Sequence, residues 1–232
     1  MNFKGIFFDL DDTLHDHHAP FARAIFSLLP ESKTHLETEA IYKTFRFYSD
    51  VLWKEYDGGK IPLDQLRVER VLLTLKDYHI ELSDEKAIEF QYNYEKELET
   101  LSLFPEVPML LNELKRLGFE VGMVTNGPTM HQQKKIQQLG LDKYFSENHI
   151  FISDQVGIAK PNPEIFEVAA REVNLPAEQL LYVGDSWEND IVGPIMAGWK
   201  SIWFNHRRKQ PMTHHKPHAE ITSLSTLLSL VK

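Results

Sequence analysis

The sequence predicts an α/β fold: a doubly wound, mostly parallel sheet with an all-helical unit inserted after the first strand. Three observations lead there. Short runs, apolar on both faces, recur along the chain, as the strands of a buried parallel sheet do. Helix-like stretches separate the later runs, which is the alternation of an α/β protein. Residues 15–104 interrupt that rhythm with helical spacing and few strand signals.

Taken in order, Gly5–Leu10 (GIFFDL) is the first strand, an apolar run that meets carboxylates at its end. Further strands are expected at Glu120–Thr125 (EVGMVT), His149–Ser153 (HIFIS), Leu180–Gly184 (LLYVG) and Ser201–Phe204 (SIWF). Helices are expected at Val107–Leu117 before Gly118, at Met130–Leu139 before Gly140, and at Pro163–Val173 after the capping residue Asn162. Within the insert, Phe21, Ile25, Leu28 and Leu29 follow helical spacing. So do Ile41, Phe45, Tyr48 and Leu52, and later Phe90, Tyr94, Leu98 and Leu101. Gly58-Gly59 breaks one helix from the next, and Phe104-Pro105 marks the return to the core. The expected organisation is a core of residues 1–14 and 105–232 with a helical cap of residues 15–104. The polar segment His206–His218 (HRRKQPMTHHKPH) reads as an exposed loop.

Composition narrows the function. The chain has 232 residues, 42% apolar and 25% charged, the balance of an ordinary globular protein. With no cysteine, disulfides, thiolate zinc sites and cysteine nucleophiles are excluded, which fits a reducing, cytoplasmic setting. A net charge of −9 argues against a nucleic acid polymer or an anionic membrane as main partner. No apolar run is long enough for a transmembrane helix, and the N-terminal MNFKGIFFDLDDT is not expected to be a secretory signal.

Ligands of open parallel sheets bind beyond the carboxyl ends of the strands. Four polar clusters fall there: Asp9-Leu10-Asp11-Asp12-Thr13, Thr125-Asn126-Gly127, Lys160 before Pro161, and Gly184-Asp185 with Asp190. Asp9 and Asp11, two apart on extended backbone, point to the same side and repel unless a cation or proton intervenes. Asp185 would add a third carboxylate, and so hard a set of oxygen ligands suits Mg²⁺. Lys160 adds fixed positive charge, while Thr125 and the amides of Asn126 and Gly127 offer donors at a helix N-terminus. Together these groups can screen a phosphoryl group so that a carboxylate attacks it.

These four motifs, in this order, resemble those of the haloacid dehalogenase-like hydrolase superfamily. The resemblance covers residues 1–14 and about 105–205, and the helical insert resembles the small cap of one branch. It implies that Asp9 is the nucleophile and that Asp11 protonates the leaving alcohol and then activates water. It implies that Mg²⁺ is held by Asp9, the backbone carbonyl of Asp11 and Asp185, with Asp190 a ligand or support. Thr125, Asn126 and Lys160 would bind the phosphoryl oxygens. The presence of Asp11 favours phosphoryl transfer over carbon–halogen or phosphonate cleavage. FFDLDDTL, TNGP and GDSWENDI are similar to nucleotide phosphatases of the pyrimidine 5′-nucleotidase type, with N-acylneuraminate 9-phosphatases close by. The expected substrate is thus a small phosphorylated metabolite. A sugar-phosphate phosphatase, a phosphomutase and an idle phospho-ligand sensor are the competing readings.

Outside the motifs, His15, His17 and His18 read as a polar loop entering the cap. Trp187 could touch a substrate or pack inward. Phe45, Phe47, Tyr48, Trp53 and Tyr56 are expected to be mostly cap core, with a nucleobase stacking surface as the alternative.

Overall fold

The computed structural model describes residues 3–30 and 37–231, without the side chains of Asp50, Lys54 and Asp57. It divides into two compact units, one formed by Met1–Asp16 with Ser102–Lys232 and the other by His17–Leu101.

The chain opens with β1 (Gly5–Phe8) and then enters the inserted unit, which holds α1 (His18–Leu28), α2 (Thr38–Asp57), α3 (Leu63–Asp77) and α4 (Asp84–Leu98). The apolar stripes that mark these helices in the sequence meet in one core: Phe21, Ile25, Ile41, Phe45, Phe90 and Tyr94 are buried together. Edge and tilted ring contacts tie it, such as Phe21 on Phe45 at 4.9 Å between centroids. The third helix, less marked in sequence, adds Val71 and Leu75. Some expected members lie elsewhere. Tyr48 is half-buried with its hydroxyl donating to Asp77 Oδ2 at 3.0 Å, and Leu101 falls beyond the end of α4. Phe47 is 60% exposed, so it is no part of the cap core.

Beyond Leu101 the chain forms α5 (Val107–Arg116), β2 (Glu120–Thr125), α6 (Thr129–Gln138), β3 (Ile150–Ile152), α7 (Ser153–Val156) and α8 (Glu164–Glu172). Then come β4 (Leu180–Gly184), a π-helical turn at Trp187–Val192, α9 (Gly193–Met196), β5 (Lys200–Phe204), β6 (Ala219–Ile221) and α10 (Leu227–Val231). The six strands pair in the order β3-β2-β1-β4-β5-β6, all parallel. Ile6, Phe7 and Phe8 of β1 and Leu180 to Val183 of β4 are wholly buried, as central strands covered on both faces must be. Helices α5 and α6 stop two residues before Gly118 and Gly140. Asn162 Oδ1 accepts the Glu164 N–H at 3.0 Å, capping α8. Strand β6 was not anticipated.

The two crossings pair with each other on the core side. Phe104 N–H donates to Leu14 O at 2.9 Å, and His15 bridges Leu103. Residues 14, 15, 103 and 104 therefore belong to the core unit, and the boundary falls at Asp16/His17 and Leu101/Ser102.

Candidate active site

The strand order reverses between β1 and β4, and at such a switch point the loops leaving the carboxyl ends diverge and open a crevice. Asp9 follows β1, Thr125 ends β2, and Asp185 follows β4. Lys160 reaches the same place from the segment between α7 and α8.

Lys160 is the hub. Its ammonium, almost wholly buried, donates to Asp9 Oδ1 at 2.7 Å, Asp190 Oδ1 at 2.7 Å and the Tyr182 hydroxyl at 2.8 Å. The Tyr182 O–H donates to Val124 O at 2.5 Å, which leaves the hydroxyl oxygen to accept from Lys160. Asn126 holds the lysine's peptide: Nδ2 donates to Lys160 O and Oδ1 accepts from Lys160 N–H, both at 2.9 Å. Burial by itself would lower the Lys160 pKa, but Asp190 and Asp9 outweigh it and keep the ammonium charged well above its ordinary range.

Asp190 is wholly buried, and its second oxygen accepts the Ser186 N–H at 2.9 Å. The glycine of the Gly184-Asp185 motif makes this possible. A Cβ on Gly184 would stand 2.4 Å from the Asp190 carboxyl carbon, so only glycine lets that carboxylate lie against the end of β4.

Asp11 is gripped from the other side. Lys135 Nζ donates to both its oxygens at 2.6 Å, and His15 Nε2 lies 2.9 Å from Oδ1. Gln132 Nε2, one turn before Lys135 on α6, donates to Thr125 Oγ1 at 2.6 Å and to Asn126 O at 3.0 Å. It also lies 3.4 Å from Asp11 Oδ2. The amide of Gly127 donates to Ser153 Oγ at 3.0 Å, so it supports the loop rather than an anion. Two cations arrive from the segment after β5. Arg207 bridges Asp12 Oδ1 at 2.7 Å and Asp16 Oδ1 at 3.1 Å, and Lys209 donates to Asp185 Oδ2 at 2.9 Å.

Asp9, Asp185 and Asp190 bring carboxylate oxygens within 4.8 Å of one another. Both Asp190 oxygens are taken, by Lys160 and Ser186, while Lys160 meets one oxygen of Asp9 and Lys209 one of Asp185. Burial pushes Asp9 up to about 7, against the pull of Lys160 and with Asp190 and Asp11 adding to the rise. Burial likewise pushes Asp185 up to about 8, against Lys209. The protein's own ammonium groups thus leave these oxygens short of positive charge. A hard divalent cation fits that donor set.

The sequence-predicted residues Asp9, Lys160, Asp185 and Asp190 do come together, with Asp11, Thr125 and Asn126 tied to the same strand ends. Two expectations need correction. His15 and His17, expected in a polar loop entering the cap, are buried. The segment after β5 is largely exposed, but Arg207 and Lys209 turn inward. Of the two readings of Trp187 the inward one holds: it is buried, packs on Trp203 at 4.7 Å and donates to Thr213. Gln132, Lys135 and Tyr182 were not anticipated. Gln132 and Lys135 sit three apart on the face of α6 that carries buried Ile136, a pattern the sequence does contain.

A family description, haloacid dehalogenase-like hydrolase, matches residues 3–198. The chain belongs to this family. Relatives of the chain include the pyrimidine 5′-nucleotidase YjjG of Escherichia coli, 33% identical over 91% of this chain and 90% of that protein. They also include the glyceraldehyde 3-phosphate phosphatase of Methanothermobacter thermautotrophicus, 30% identical over 91% and 90%. Among solved structures, the HAD-hydrolase YfnB of Bacillus subtilis, bound to magnesium and described as revealing interdomain movement, superposes with a TM-score of 0.72. It is 28% identical and covers all of both chains. The protein is therefore a HAD-type hydrolase. No described helix is long and apolar enough to cross a membrane.

Proposed function

We propose that this hydrolase is a Mg²⁺-dependent phosphomonoesterase of small phosphorylated metabolites that works through an aspartyl-phosphate on Asp9. The observation that carries this reading is the pairing of Asp9 with Lys160 at 2.7 Å beside Asp185 and Asp190, a carboxylate held where phosphoryl charge can be screened.

Asp9, Asp185 and the backbone carbonyl of Asp11 would hold Mg²⁺, which when bound supplies Lewis-acid screening of the phosphoryl oxygens. Lys160 and the Thr125 hydroxyl bind those oxygens and orient the phosphorus toward Asp9. The Asp9 carboxylate attacks, the bond from phosphorus to the leaving oxygen breaks, and the Asp11 carboxyl gives that oxygen its proton. In the second half Asp11 takes a proton from water, the water oxygen bonds to phosphorus, and the bond to Asp9 breaks. Asp190 keeps Lys160 in place, and Asn126 fixes the lysine's backbone. Closure of the helical unit by rotation at Asp16/His17 and Leu101/Ser102 would exclude water and select substrates. The interdomain movement described for YfnB supports that hinge.

The favoured substrate is a pyrimidine nucleoside 5′-monophosphate, a reading supported by the flavour of the motifs and by the likeness to YjjG. A triose or other sugar phosphate is the second reading, supported by the glyceraldehyde 3-phosphate phosphatase. Phosphate release across nucleotides, sugar phosphates and phosphorylated acids, with and without EDTA, tests both. A pyrimidine 5′-monophosphate is expected to give the highest kcat/KM. A sugar phosphate in first place would overturn the nucleotidase reading and leave the phosphatase chemistry standing. Full turnover in EDTA after dialysis would overturn the metal dependence.

A further inference from the structure

The geometry points to Lys135 as a positioning residue that aims Asp11 for proton transfer to the leaving group. The inference rests on the acid/base role proposed for Asp11.

Lys135 Nζ sits 2.6 Å from each Asp11 oxygen, so the ammonium straddles the carboxyl group and fixes the rotation of its plane. His15 Nε2 at 2.9 Å from Oδ1 fixes the same group from within its own loop. Lys135 is only partly exposed, with 14% of its side chain accessible, against 19% for Asp11, so the pair is shielded from much of the solvent screening that weakens surface pairs. Its helix also carries Gln132, whose amide ties Thr125 Oγ1 at 2.6 Å and Asn126 O at 3.0 Å. One face of α6 therefore sets the proton donor and the phosphoryl-binding threonine in common register.

A carboxyl group has about four lone-pair positions. Lys135 faces two of them and His15 one, so the fourth is the position that carries the proton and donates it to the leaving oxygen, in the orientation that Lys135 imposes. Proton transfer depends steeply on that orientation. In the step concerned, the bond between phosphorus and the leaving oxygen breaks, and the Asp11 proton moves to that oxygen. A leaving group that departs as a stable anion needs no such proton. An ester of a weaker acid does.

The test compares kcat/KM for phenyl phosphate and p-nitrophenyl phosphate, which share one ring and differ chiefly in leaving-group acidity. Asp11→Asn should lose roughly 100-fold or more on phenyl phosphate and much less on the nitrophenyl ester. Lys135→Met should show the same asymmetry, on the order of tenfold, and Lys135→Arg should restore most of it. Circular dichroism and thermal melting show whether each variant is folded, and Lys135→Gln stands in should Lys135→Met not fold. Equal losses on both esters, or none, in a folded Lys135 variant would overturn the positioning role while an asymmetric Asp11→Asn keeps the acid. If Asp11→Asn treats both esters alike, the acid reading falls and the inference falls with it.

Discussion

Lys160 Nζ lies 2.7 Å from Asp9 Oδ1 and holds Asp190 Oδ1 at the same distance, so one buried ammonium separates two buried carboxylates. Replacing it by Met leaves Asp9 and Asp190 facing each other without a shared cation. Removing one member of a buried ion pair costs about 3–5 kcal/mol. Lys160→Met should lose stability of that size in metal-free urea unfolding and lose turnover as well. A loss below about 1 kcal/mol would mean the triangle is better solvated than its burial implies.

Gly184 should tolerate no side chain. The Cβ of Gly184→Ala would stand 2.4 Å from the Asp190 carboxyl carbon, so Asp190 must move and release Lys160. Overpacking of this kind costs about 1–3 kcal/mol. A crystal structure of the variant should show Asp190 displaced, with kcat falling by roughly tenfold or more as Lys160 loses its anchor. Wild-type turnover would contradict the support role of Asp190.

The metal-free protein should become less stable as pH rises. Asp9 and Asp185 are raised by burial from 3.8 to about 7 and about 8. Their folded forms therefore bind more protons than the unfolded chain, and stability present below about pH 4 is lost as pH climbs through 7 to 8. Melting in EDTA should fall between pH 6 and pH 8.5. Added Mg²⁺ should flatten the curve, because cation binding releases those protons. Identical slopes with and without Mg²⁺ would count against Asp9 and Asp185 as its ligands.

Asp9→Asn should separate stability from activity. The amide nearly matches the carboxylate in shape and removes one charge from a crowded site. At pH 8 without metal the variant should melt no lower than the parent, while turnover vanishes. Residual activity within about tenfold of the parent would exclude Asp9 as the nucleophile.

The sheet was legible because its strands announce themselves. GIFF and LLYVG are apolar on both faces, and Asp9, Asp11 and Asp185 sit just past such runs. β6 was not, since of its three residues Ala219–Ile221 only Ile221 is buried and there is no apolar run to read. The site's carboxylates and Lys160 could be found from position along the chain. The cations that hold Asp12 and Asp185 could not, because Arg207 and Lys209 lie in a polar stretch, and only its spacing from Gln132 and Ile136 sets Lys135 apart from its exposed neighbour Lys134. Only the winding of α6 and the path of the chain after β5 decide which of these side chains turn inward. The histidines after the first motif misled for a related reason: polar spacing cannot reveal that His15 is buried beneath its own turn and bonded to Asp11.

The nucleophile is tested most directly by a crystal grown with Mg²⁺ and fluoroberyllate, which mimics a phosphoryl group bonded to a carboxylate. Beryllium is expected on an Asp9 oxygen, with Lys160 and Thr125 contacting the fluorines and Mg²⁺ between Asp9 and Asp185. Beryllium bonded to any other side chain, with Asp9 still paired only to Lys160, would contradict the aspartyl-phosphate mechanism.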